Sequence, residues 1–341
     1  MQVLKPFLVD VPVRVNVWIR PECQKAQFEV LKNARPSILF IQSDGGRNEK
    51  EWEAIRKNRE LIDNGIDWEC TVYKVYEDKN LGLYTMGRKI FKLIWSKVDR
   101  CIFLEDDQIP SVSYFKYCAE LLEKYKDDTR INCICAMNSA GVWEDASSDY
   151  FFSERGSIWG RALWKRNYIN RDYELDYSKD PYTMKLLKNR VSSNKDFLKR
   201  VEGYASNPLY DGHMPGGEFF SVLEVYGQNQ LCIIPKYNMM CNIGCTAGAA
   251  HSSEYHLLPK SIRSIFNMKT YECDFPLKHP KYVMADMEYK NYEEKVLGRN
   301  RPIRIFFRKI EVFLLIIKYK GFKNIILKIL KKFKNRKRIE T

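Results

Sequence analysis

Apolar and polar positions alternate in blocks along the chain. Residues 11–19 alternate Val and Ile with polar or basic neighbours, the period of a strand, and end at Arg20-Pro21. Helical spacing follows over 22–33, then an apolar strand over 37–42, a helix over 48–64, and a strand near 71–76. A turn at Asn80-Leu81-Gly82-Leu83 precedes a helix over 84–97. A strand opens at Cys101, runs through Ile102-Phe103-Leu104 and stops abruptly at three consecutive acids, Glu105-Asp106-Asp107. The next helix is predicted over 111–125, with Ser111 or Ser113 as its cap and Phe115, Cys118, Leu121, Leu122 and Tyr125 on one face. A strand over 131–137 ends the regular part. This alternation predicts an α/β fold, a single Rossmann-like, mostly parallel sheet flanked by helices. Residues 138–210 read as irregular and aromatic, which suits a pocket-building second half, and 257–300 as a surface wrap.

Composition sets the scale. With 341 residues, 45% hydrophobic and 13% aromatic, the chain is long and apolar enough for a large folded core. The formal charge of +14 suggests an anionic partner. Its distribution narrows the choice, because residues 299–341 hold 15 Lys or Arg against Glu311 and Glu340, while the rest of the chain holds 42 basic and 41 acidic residues. The body is neutral and the tail basic. Six uninterrupted apolar residues, 312–317, fall well short of the roughly 20 needed to span a bilayer. Beyond Gly321, Phe322, Ile325, Ile326, Ile329, Leu330 and Phe333 recur at helical spacing with lysines mostly between them. Residues 301–338 are therefore expected to form basic amphipathic helices lying on an anionic membrane surface, with no nucleic acid as partner.

Ten cysteines show no paired metal spacing; Cys133-Ile134-Cys135 and the pair Cys241 and Cys245 lie closest, and all ten read as reduced core thiols. The first 11 residues are too weakly apolar for a signal peptide. A cytoplasmic chain, peripheral on the inner face of the cell membrane, is the resulting expectation.

The acid triplet invites chemistry. A buried parallel strand would place it at the carboxyl edge of the sheet, where open α/β sheets bind ligands. Adjacent carboxylates repel one another unless a cation or donor groups neutralise them, and a hard divalent ion prefers carboxylate oxygens together with phosphates. A solvated acidic turn would leave the same sequence.

Four further segments accompany the triplet: Ser43-Asp44-Gly45-Gly46-Arg47; Asn80-Leu81-Gly82; Ser157-Ile158-Trp159-Gly160-Arg161-Ala162-Leu163-Trp164-Lys165-Arg166; and Pro235-Lys236-Tyr237-Asn238-Met239-Met240-Cys241-Asn242-Ile243-Gly244, closing on His251. With Phe103-Leu104-Glu105-Asp106-Asp107-Gln108-Ile109-Pro110, their order and spacing over 11–251 resemble the bacterial GT-A-fold glycosyltransferases that use nucleotide-diphospho-sugars. More distantly they resemble the animal N-acetylglucosaminyltransferase that begins complex N-glycans.

The resemblance implies a division of labour. Asp107 and His251 would hold Mn2+ or Mg2+, Asp106 would face the donor ribose and Glu105 its sugar. Asp44 would accept from the uracil of a UDP-sugar, Arg20 would flank the base or phosphates, Arg88 would approach the sugar or phosphate, and Trp159 would offer a flat face to a sugar ring, leaving Trp164 to the core. For Asp44 and Arg20 a turn-shaping or loop-solvating role is the alternative. The general base would be Glu218, with Asp211 as second candidate; related sequences more often carry Asp beside Trp at that place.

The implied domains are 1–256 for the transferase, nucleotide-binding over 11–137 and acceptor-binding over 138–256, followed by 257–300 and the 301–338 tail. The implied activity is inverting transfer of a sugar from the nucleotide donor to a glycan or lipid-linked acceptor, in cell-surface polysaccharide or glycoconjugate synthesis. A sugar-nucleotidyltransferase is the rival enzyme, and it normally carries a glycine-rich basic loop where this chain has Arg20-Pro21-Glu22. A non-catalytic basic binding protein is the rival outside enzymes.

Overall fold

A computed structural model of the protein describes residues 3–192, 194–245, 255–298 and 301–321. Its first half alternates strand and helix in the expected order: β1 (Val9–Asn16), α1 (Pro21–Ala34), β2 (Pro36–Ser43), α2 (Glu49–Gly65), β3 (Thr71–Tyr76), α3 (Leu83–Lys97), β4 (Arg100–Leu104), β5 (Gln108–Pro110), α4 (Ser113–Lys124) and β6 (Ile131–Cys135). The second half adds β7 (Tyr150–Ser153), β8 (Arg161–Trp164), α5 (Lys165–Ile169), α6 (Pro181–Val191), α7 (Lys195–Ser206), α8 (Gly217–Gly227), β9 (Leu231–Pro235), β10 (Met240–Asn242), α9 (Lys260–Arg263), α10 (Met287–Leu297) and α11 (Pro302–Lys320).

Eight strands form one sheet in the order β3-β2-β1-β4-β8-β6-β9-β7, and β5 pairs with β10 as a separate two-stranded ribbon. β1, β2, β3 and β4 are mutually parallel, with α1, α2 and α3 as the crossovers between them. β8 runs antiparallel between β4 and β6 and so joins the two halves into one sheet. The α/β class expected from the sequence holds. One core cluster is built on Val11, Val13, Val15, Leu39, Ile102 and Leu104 against Phe115, Leu121 and Leu122 of α4, all fully buried.

Several sequence expectations need correction. β1 starts at Val9 and stops at Asn16, because the chain turns before Arg20 to enter α1. Neither Ser111 nor Ser113 caps α4; the Glu272 carboxylate accepts from the Val112 N–H at 3.0 Å and the Ser113 N–H at 2.6 Å, a cap supplied from 159 and 160 residues away. Residues 138–210 are not irregular but carry β7, β8 and three helices. Asp180 and Asn194 cap α6 and α7, whose short apolar faces meet α8 in a satellite core around Val191, Val201, Tyr204 and Phe219. The segment 257–300 contributes Ile265, Leu277 and Tyr289 to the buried interior, with Tyr289 carried on α10.

Among the described residues no helix is long and apolar enough to cross a membrane. Residues 322–341, most of the predicted amphipathic repeat, lie outside the described residues, as does His251.

Candidate active site

Parallel pairing of β1, β2, β3 and β4 brings the loops after all four strands to one edge, and the acid triplet ends the central one. Two arginines meet the three acids. Arg14 is buried in β1 and donates from NH1 to the Leu104 carbonyl at 3.1 Å and to Glu105 Oε1 at 2.9 Å, while Gln42 holds the rest of its guanidinium. Asn16 donates to Glu105 Oε2 at 3.1 Å.

Arg20 clamps the other two acids. Its guanidinium pairs in bidentate fashion with Asp106, through Nε at 2.9 Å and through NH2, and its NH1 donates to Asp107 Oδ2 at 3.1 Å. Burial opposes the charge on Arg20, but hydrogen bonding and attraction from Asp106 and Asp107 outweigh it and hold the guanidinium above its ordinary value. The neutralising cation that the triplet demanded is, in part, two arginines of β1 and its loop. Burial pushes the Asp107 carboxyl up, with Arg20 pulling the other way and the neighbouring acids adding to the rise. Its Oδ1 carries no hydrogen bond among the described residues.

That state of Asp107 fits a hard divalent cation. A partly buried carboxylate with one free oxygen and a raised pKa gains from a second positive charge, and carboxylate oxygen is the donor Mn2+ and Mg2+ prefer. Both oxygens of Glu105 and of Asp106 accept hydrogen bonds, whereas on Asp107 only Oδ2 does among the described residues.

The turn of the triplet is held by two glutamines that sequence reading passed over. Gln27 on α1 donates to the Glu105 and Gln108 carbonyls at 2.6 and 2.8 Å, and Gln108 Oε1 accepts from the N–H groups of Glu105 and Gly160 at 3.2 and 2.9 Å. Both are buried. A glutamine at a core position of α1, in step with Cys23, Phe28 and Leu31, was the available signal. Gly160 sits at φ +64°, and a Cβ there would meet Met240 Cε at 2.3 Å, so glycine allows the Trp159-Gly160 loop to close on the ribbon.

The β5–β10 ribbon carries the following residues over the acids. Ile243 N–H donates to the Asp107 carbonyl at 3.0 Å, and a Cβ on Gly244 would lie 2.0 Å from Asp107 Oδ2. Only glycine fits there.

The Ser43-Asp44-Gly45 and Asn80-Leu81-Gly82 segments prove to be one unit. Asp44 Oδ1 accepts from the Gly45 and Leu81 N–H groups, both at 2.8 Å, and Oδ2 from Gly82 N–H at 2.9 Å and Asn80 Nδ2 at 3.3 Å. This engages the acceptor capacity of both carboxylate oxygens within the chain, the turn-shaping alternative. Gly45 permits the contact, since a Cβ would meet the Lys79 backbone carbon at 2.4 Å. Asp44→Ala is expected to cost about 1–2 kcal/mol by freeing these donors, measured by denaturant unfolding at unchanged m.

The remaining candidates make no hydrogen bond to the acids among the described residues. Arg88 is exposed on α3 and makes no hydrogen bond or ion pair among the described residues. Trp159 is half-buried, its ring 4.8 Å from that of Phe266, and Trp164 is buried in the core, donating to the Leu122 carbonyl at 3.0 Å. Asp211 accepts from Tyr204 Oη at 2.8 Å and from Arg200 at 3.2 Å, whereas Glu218 stands exposed in the first turn of α8. The loop between them touches the start of α3, where Tyr84 Oη lies 3.2 Å from His213 Nε2.

No protein-family model matches the chain, and no curated protein matches it. Among solved structures it is similar to the mannosyltransferase PcManGT from Pyrobaculum calidifontis in complex with GDP-Man and Mn2+, at 10% identity and TM-score 0.33, over 47% of this chain and 48% of that one. It is also similar to a UDP-glucose pyrophosphorylase complexed with UDP-glucose (15%, TM-score 0.30, 47% and 78%) and to HddC from Yersinia pseudotuberculosis (11%, TM-score 0.29, 47% and 78%). The chain spans about half the length of the mannosyltransferase it matches.

Proposed function

We propose that the protein is a metal-dependent glycosyltransferase, moving a sugar from a nucleotide-diphospho donor, a UDP-sugar, to a glycan or lipid-linked hydroxyl with inversion. The observation that carries this reading is the acid triplet at the end of β4, with Arg14 and Arg20 on its acids and the backbone of Ile243 and Gly244 closing over Asp107. Sugar transfer builds negative charge on the leaving diphosphate, and this edge concentrates groups suited to it. Asp107 would hold Mn2+ or Mg2+, which when bound supplies positive charge to the diphosphate oxygens.

The chain's own residues do the rest. Arg20 supplies donors fixed in a planar fork beside Asp107, Asp106 holds that fork in place from the interior, and Glu105, fixed by Arg14 and Asn16, would face the donor. Glu218 would take the acceptor proton; among the described residues its carboxylate has no hydrogen-bond partner, whereas Asp211 is bound by Tyr204 and Arg200. The passage from β1 into α1, Val17-Trp18-Ile19-Arg20, carries no glycine, which favours sugar transfer over nucleotidyl transfer. The test is a mass-spectrometric screen of nucleotide sugars for Mn2+- or Mg2+-dependent hydrolysis. Turnover of one donor supports the reading, and no turnover of any donor with either ion opposes it.

Attachment to the membrane belongs to the same proposal. α11 exposes Ile303, Phe306, Phe307, Phe313 and Leu314 and bears Arg304, Arg308, Lys309, Lys318 and Lys320 against Glu311. It is tied to the body through Lys260 N–H to Glu311 at 2.7 Å and through Arg308 to the end of α10. Such a helix suits the inner face of an anionic bilayer. Removing residues 301–341 is expected to abolish sedimentation with phosphatidylserine vesicles while donor hydrolysis persists; loss of both would favour a binding module.

A further inference from the structure

Away from the acid edge, three thiols meet in the sheet. Cys133 and Cys135 lie two apart on β6 and so face the same side, and Cys232 on β9 is the registered partner of Cys133. The three Sγ atoms all lie within 4.8 Å of one another, and all three residues are buried. Cys133 Sγ and Cys135 Sγ are 3.7 Å apart. That separation is the edge of a tetrahedron around a zinc ion with Zn–S bonds of about 2.3 Å, roughly 3.8 Å.

The surroundings suit a bound cation more than three idle thiols. Arg161 on β8 is the cross-strand partner of Cys135 and faces the same side. It donates to the Ser221 hydroxyl at 2.9 Å, and among the described residues it pairs with no carboxylate, while nearby Arg171 is matched by Glu224. A divalent ion held by three thiolates carries a net charge of −1, which Arg161 would balance. Gly156 is exposed and packs against the thiols, for a Cβ there would come within 2.7 Å of Cys135 Sγ and 2.9 Å of Cys232 Sγ. The Ser157 carbonyl lies 3.6 Å from Cys135 Sγ.

We propose that Cys133, Cys135 and Cys232 form a structural site for a thiophilic cation of the Zn2+ or Cu+ type, separate from the acid edge. Binding replaces three S–H bonds by three metal–sulfur bonds and releases three protons to solvent, with no change of oxidation state.

The test uses the full chain, reduced with a phosphine and stripped by a chelator, then titrated with Co2+. One equivalent is expected to give thiolate-to-cobalt charge-transfer absorption in the near ultraviolet, which one equivalent of Zn2+ or of Cu+ removes. Cys133→Ser should lose the band, and the double variant Cys241→Ser/Cys245→Ser should keep it. Should Cys133→Ser fail to fold, alkylation of the wild-type chain decides: Zn2+ should slow modification of Cys133, Cys135 and Cys232 in mild denaturant while Cys101 and Cys118 react at unchanged rates. Absence of the band, its persistence in Cys133→Ser, indifference of the alkylation rates to Zn2+, or a disulfide joining two of the three in the reduced, stripped protein would each overturn the proposal.

Discussion

Asp107→Ala is expected to lower kcat/KM for sugar transfer by about 10²–10³-fold or more, the loss seen when one preorganised electrostatic group is removed from a site where charge develops. The same substitution should not unfold the protein. Burial raises the Asp107 carboxyl in the folded state, so the native protein binds its proton more tightly than the unfolded chain does. Stability attributable to this group therefore falls as pH rises from the ordinary carboxylate range through the raised folded pKa, and the ionised form is a cost at neutral pH. Alanine removes that cost, and Arg20 keeps its bidentate partner Asp106. Comparing kcat/KM and urea midpoints for wild type and variant at pH 7 separates the two effects. A variant with wild-type activity, or one unfolded under assay conditions, would contradict the assignment.

Arg20→Ala is the reverse case, with its largest effect on stability. Asp106 is 3% exposed and depends on Arg20 for both of its oxygens. Removing the guanidinium leaves a buried carboxylate without its partner, a loss of about 3–5 kcal/mol. The double variant Arg20→Ala/Asp106→Asn removes the stranded charge and should recover a large part of that loss while remaining catalytically impaired. Equilibrium urea unfolding checks this through the coupling between the two substitutions. Additive effects would mean that the pair contributes little.

The parts of this architecture legible in sequence were those written in local periodicity. β2, β3, β4, α1, α2 and α3 each fall within a few residues of where apolar spacing put them, and all but the edge strand β3 bury residues along one face. What escaped was set by long-range contacts. Glu272 caps α4 from across the chain, displacing the local serines, and nothing near Ser111 announces it. The ribbon strands β5 and β10 are three residues each, too short to show a period, yet they carry Gly244 onto Asp107. At the site, the position of the acids at a sheet edge was readable, whereas their neutralisation by Arg14 was not, since an arginine in the middle of a strand reads as an outward residue. Asp44 shows the limit most clearly: its segment was visible, but its bonds to residues 80–82 depend on β2 and β3 being neighbours. Cys232 joins Cys133 and Cys135 through strand register alone, which a count of cysteine spacings does not contain.

In the proposed reaction the bond broken lies between the anomeric carbon and the diphosphate oxygen. The direct measurement is the nucleotide product formed from the donor that the protein turns over, identified by mass spectrometry with wild type and with Asp107→Ala. The expected product is a nucleoside diphosphate, formed in a divalent-metal-dependent reaction and absent with the variant. Release of sugar 1-phosphate together with a nucleoside monophosphate, or with a triphosphate when pyrophosphate is supplied, would contradict it and assign the acid edge to nucleotidyl transfer.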